Sequence, residues 1–140
     1  MALFSSKSAG ATWSDAVAHL KAQYKYKELP DGEFKLIFDL GDNRDQLVFV
    51  AKAGNEKAGD WVSITSPIGD FAVLIPQMSS LLNECDNKIC GAVVAQGDVV
   101  LLRHSFPVAS FTPEVFDWAL QVITFTADQL EAKFAGGNKY

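Results

Sequence analysis

The chain has 140 residues and a formal net charge of −5. That length suits one domain with a core of its own, and an apolar fraction of 49% against 21% charged residues excludes a disordered chain. Residues 1–70 carry 8 basic and 10 acidic side chains and residues 71–140 carry 4 and 7, so neither half forms the basic saddle that a nucleic-acid backbone requires.

Residues 1–11 are small and polar and read as a flexible end. They lack the charged-then-apolar order of a signal peptide, and no apolar run approaches the roughly 20 residues of a membrane span. Cytoplasmic location and no membrane partner are the expectations.

Thr12 reads as a helix N-cap, with Asp15 placed to return the bond. Trp13, Ala16, Val17, Leu20 and Tyr24 follow at helical spacing, and Pro30-Asp31-Gly32 ends the element. Three strands are predicted next, at 34–38, 46–51 and 60–66, joined by short turns as an antiparallel meander. Ser66 to Asp70 reads as the break after the third strand. Phe71-Ala72-Val73-Leu74-Ile75 fits either a strand or the approach to a helix. Pro76 suits a first helical position, Met78, Leu81 and Leu82 give a short stripe, and the helix ends between Glu84 and Asn87. Strands at 89–95 and 98–104 form a hairpin about Gln96-Gly97, closed by Ser105-Phe106-Pro107.

The last helix carries the strongest signals. Thr112 caps it, Pro113 takes the first position and Glu114 sits in the first turn. Phe116, Leu120, Ile123, Ala127, Leu130 and Phe134 recur at three- and four-residue steps, and Gly136-Gly137 stops the element. The order α-β-β-β-α-β-β-α predicts an α+β two-layer sandwich, an antiparallel sheet of about five strands with helices on one face. A single domain over residues 12–135 follows, with 136–140 as the second flexible end.

Chemistry-bearing patterns are sparse. Phosphate-binding glycine motifs, H-E-x-x-H and G-x-S-x-G are absent from the sequence. Cys85 and Cys90 are the two cysteines and His19 and His104 the two histidines, too few for a convincing zinc set. His104 could act as base for either thiol, with Asp98 to orient it, and this thiol enzyme is the least favoured reading. Asp39, Asp42 and Asp45 around Arg44 read as a solvated hairpin loop rather than a calcium site. No catalytic residue, metal or cofactor is expected.

A second apolar face on the last helix needs an explanation. Trp118, Val122 and Phe125 recur at four- and three-residue spacing, away from the core stripe. Contact with the first helix, a homodimer or a partner groove would each cover them. A different expectation places a ligand pocket on the sheet, lined by Trp61, Phe49 and Phe38, as in a small-ligand sensor.

Several segments together resemble a known family. They are Trp61-Val62-Ser63-Ile64-Thr65-Ser66-Pro67-Ile68-Gly69, Leu81-Leu82-Asn83-Glu84, Gly91 to Ala95, Val99 to Arg103 with Phe106-Pro107, and Phe111-Thr112-Pro113-Glu114 leading to Ala127-Asp128-Gln129-Leu130-Glu131. Over residues 12–135 the chain resembles the bacterial YbjN-type sensory transduction regulator-like family, whose fold is similar to type III secretion chaperones of the Tir-chaperone kind. The resemblance implies a non-enzymatic cytosolic protein, regulatory or chaperone-like, that homodimerises and holds protein or peptide clients. It supplies no catalytic residues.

Overall fold

The computed structural model describes residues 10–89 and 91–136. Helix α1 (Trp13–Gln23) begins as its capping residues require: Asp15 N–H donates to Thr12 Oγ1 and Thr12 N–H donates to Asp15 Oδ2. Strands β1 (Lys27–Glu28), β2 (Phe34–Asp39), β3 (Asp45–Asn55) and β4 (Gly59–Asp70) follow. Next come a single turn α2 (Phe71–Leu74), a turn of 3-10 helix and α3 (Met78–Cys85). Strands β5 (Ala92–Gln96) and β6 (Val99–Pro107) lead to α4 (Pro113–Leu130), which closes in a π-helical turn over Glu131–Ala135. Gly136 ends it in the left-handed conformation, φ +70°.

The six strands form one antiparallel sheet in the order β1-β2-β3-β4-β6-β5. The protein is thus an α+β two-layer sandwich. One sheet face is covered because alternate residues point to it: Phe34 and Leu36, Val48 and Val50, Val62 and Ile64, Val100 and Leu102 are all buried there. Against them lie Ala16 and Leu20 of α1, Leu81 of α3, and Phe116, Leu120, Ile123, Ala127 and Leu130 of α4 with Phe134 of the π turn. The stripe read from sequence on the last helix is therefore the core stripe. Covering each large side chain contributes roughly 1.5–3 kcal/mol as an upper figure.

Several sequence expectations need correction. The sheet has six strands, since two residues, Lys27 and Glu28, pair with Lys35 and Phe34 as an added edge. β4 does not break at Ser66; it continues to Asp70, with Pro67 opposite Leu101. A central strand tolerates this proline because the register shifts between Pro67 and Gly69, a bulge that absorbs the missing N–H. Buried Gln46 reinforces the spot, its Nε2 donating to Ser66 Oγ and to Pro67 O, while Ser66 Oγ donates to Leu47 O. The ambiguous 71–75 run is helical, with Leu74 buried and Phe71, Val73 and Ile75 exposed. β5 starts at Ala92, so Ile89 lies outside the strand, and β6 runs on through Ser105-Phe106-Pro107. Ala11 packs on the core, and Gly10 approaches the turn before α4 so closely that a Cβ would sit 2.6 Å from Ala109 O. The remaining expected flexible ends, 1–9 and 137–140, lie outside the described residues.

Candidate functional site

The outer side of α4 and the end of the β2–β3 hairpin enclose a groove of about 570 Å³. Its walls are built from three separate stretches of chain. α4 supplies Trp118 and Phe125, 48% and 49% exposed. Seven residues apart, they stand on the same side of the helix, roughly 10.5 Å apart along its axis. β2 and the turn after it supply Phe38, Asp39 and Leu40, and the end of α1 supplies Tyr24. Leu120 and Thr124 also line it.

Each wall is held by an identifiable interaction. The turn Gly41–Arg44 has positive φ at both central residues, 53° at Asp42 and 58° at Asn43, which Asp and Asn tolerate better than most side chains. Asp39 Oδ1 accepts from Gly41 N–H, and Arg44 leaves the loop to reach α4. Its Nε and Nη2 donate to Asp128 Oδ1 at 2.9 and 2.7 Å. This bond holds the guanidinium pKa above its usual value. The loop read from sequence as merely solvated therefore carries a latch between the hairpin and α4.

The polar end of the groove is a three-residue knot. Asp117 Oδ1 accepts from Tyr24 OH at 2.5 Å and lies 2.7 Å from His19 Nε2. A carboxylate only accepts, so the Nε2 hydrogen points at Asp117. The His19 ring is nearly enclosed among Tyr24, Phe111 and Phe116. Burial, followed by the bond and charge of Asp117, pushes the Tyr24 phenol far above its ordinary pKa. His19 is thus a satisfied structural residue, and it fixes the orientation of a groove carboxylate. Asp39 and Glu114 are the other two carboxylates of the lining, which holds no lysine or arginine among the described residues.

The residues singled out from sequence separate on this geometry. Trp118 and Phe125 share the groove, whereas Val122 is half-buried on the other flank of the helix and does not line it. The expected sheet pocket is not assembled by its three residues: Phe49 and Trp61 alternate onto the uncovered sheet face, and Phe38 packs on the covered one. Asp98 lies in the β5–β6 turn and His104 six residues along, roughly 20 Å at strand rise, so Asp98 cannot orient that ring. Burial lowers the His104 pKa. Cys85 packs against the core, and burial pushes its thiol up, the opposite of activation. Cys90 lies outside the described residues. Among the described residues no group of three or more His, Cys, Asp and Glu is placed to hold a metal ion. No helix among them is long and apolar enough to cross a membrane.

No protein-family model matches this chain, and no curated protein does. The likeness to the YbjN-type family accordingly rests on the sequence segments named above. Spacing found Trp118 and Phe125. It placed Phe38 in a different pocket, read Tyr24 as part of the α1 stripe, Asp39 as a solvated loop residue and Glu114 as a first-turn residue, and did not mark Asp117, because Tyr24 and Asp117 meet across 93 residues and nothing local joins them.

Proposed function

We propose that the protein is a non-enzymatic protein-interaction module, regulatory or chaperone-like, whose contact surface is the outer face of α4 and the groove beside it. One observation carries the reading: two large aromatic side chains of α4, Trp118 and Phe125, stand half bare beside a concave groove that also presents carboxylates. Leaving them in water forgoes roughly 1–2 kcal/mol of burial each, which a partner can recover. The groove walls are fixed by the Arg44–Asp128 and Tyr24–Asp117 bonds, so little ordering is needed on binding. Client capture and a cytoplasmic setting belong to the same reading.

Homodimerisation through this face is the second reading, favoured by the same bare Trp118 and Phe125. Against it, two copies placed face to face would each bring Asp39, Glu114 and Asp117 toward the other.

A photoreactive side chain placed at Gln121, a groove residue, tests the reading against one at Lys52, an exposed position on β3. Protein adducts at the first and not the second are expected. Equal adducts at both, or a small molecule bound one-to-one in native mass spectrometry, would overturn it. Light scattering on the purified chain separates the two readings: the mass of a single chain for a client binder, and twice that mass for the dimer.

A further inference from the structure

We infer that the α4 groove takes an extended segment of a partner protein that presents an arginine or lysine between apolar side chains. The inference rests on the interaction reading above and adds the chemistry of the partner. Three features of the groove select this occupant together.

The first is charge. Asp39, Glu114 and Asp117 line the groove and no lysine or arginine does among the described residues. Arg44, in the turn beyond Leu40, is spent on Asp128. An anionic segment would meet three carboxylates with no counter-charge, and a neutral one would desolvate them without return. The second is aromatic surface. Trp118, Phe125, Tyr24 and Phe38 present ring faces and edges around the cavity, and a cation over a ring within about 6 Å gains roughly 0.5–2 kcal/mol. The molecule already uses this contact: Lys21 Nζ lies 5.7 Å from the Phe34 ring centroid. An arginine or lysine suits both features, because its apolar stem covers the floor while its head reaches the rim.

The third is length. Trp118 and Phe125 stand roughly 10.5 Å apart along the helix. Residues i, i+2 and i+4 of an extended segment share one face, so apolar side chains four apart, about 13 Å, can bracket the two rings while the cation midway between them enters the groove. A second copy of the chain fits less well, since its matching face repeats the same three carboxylates.

The test selects a random dodecapeptide display library on the full chain and then measures fluorescence anisotropy with the enriched peptides. The inference expects arginine or lysine flanked by apolar residues to be enriched. Exchanging that cation for glutamine in the peptide should weaken binding about 10-fold. Glu114→Gln and Asp39→Asn should each weaken it about 3-fold while melting with the parent, and raising salt from about 50 to 300 mM should weaken it further. Trp118→Ala should remove it. If enriched peptides are uncharged or acidic, and binding falls with Trp118→Ala yet ignores Glu114→Gln, the cationic partner is overturned and the interaction surface stands. If no peptide is enriched, both fall. If, in addition, a two-chain species dissociates on Trp118→Glu, a second copy fills the groove instead.

Discussion

The two sides of α4 differ in what their aromatic residues are for. Inward, Phe116 is fully buried among His19, Tyr24 and Phe111. Outward, Trp118 and Phe125 stand half bare. Residues two positions apart on one helix thus differ in environment, Phe116 inside the core and Trp118 on the surface of the groove. Asp117 lies between them and ties the sides together through Tyr24 and His19. A second exposed apolar region, Phe71, Val73, Ile75, Leu82 and Ile89, sharpens the contrast. It is mostly aliphatic and shares none of the groove's lining, so exposure by itself does not mark α4 as special. The pairing of rings with carboxylates in a concave site does.

Substitutions should separate the two sides. Phe116→Ala should cost about 3–5 kcal/mol in denaturant unfolding, since it removes a fully buried ring from an aromatic cluster. Asp117→Ala should cost about 1–3 kcal/mol, because the Tyr24 hydroxyl and the enclosed His19 nitrogen lose their acceptor. It should also weaken partner binding, the one change expected to act on both sides. A double-mutant cycle on Arg44 and Asp128 should give a coupling of about 0.5–1 kcal/mol, modest because the pair is partly solvated. Trp118→Ala should change stability by less than about 0.5 kcal/mol while abolishing binding. A large loss of stability there would break the comparison.

His104 sets a smaller, pH-dependent expectation away from the helix. Burial lowers its folded pKa, so below the ordinary value of 6.5 the unfolded chain takes up a proton that the folded chain resists. Stability should fall as pH drops below that value, and His104→Gln should flatten the fall in thermal melts recorded between about pH 7 and 5. An unchanged slope would contradict the assignment.

Local signals were legible in the sequence and tertiary ones were not. Both helix caps, Thr12 with Asp15 and Thr112 with Val115 N–H, form as their neighbours dictate. The α4 core stripe was legible because helical period and burial coincide. The passage of β4 through Pro67 was not, because the proline is accommodated by a bulge and by Gln46, 21 residues away. β1 escaped notice because two residues carry no periodicity. Trp118 and Phe125 could be singled out by spacing, but Val122 was grouped with them because sequence angles do not show which flank meets the hairpin. The groove's other walls come from α1 and β2, and their meeting depends on the sheet order.

The most direct test is backbone amide chemical-shift mapping with an arginine-bearing dodecapeptide from the selection. Perturbations confined to Tyr24, Phe38 to Leu40 and Glu114 to Phe125 are predicted. Perturbations centred on Phe49 and Trp61 of the uncovered sheet face, or on Phe71 to Ile89, would contradict the account.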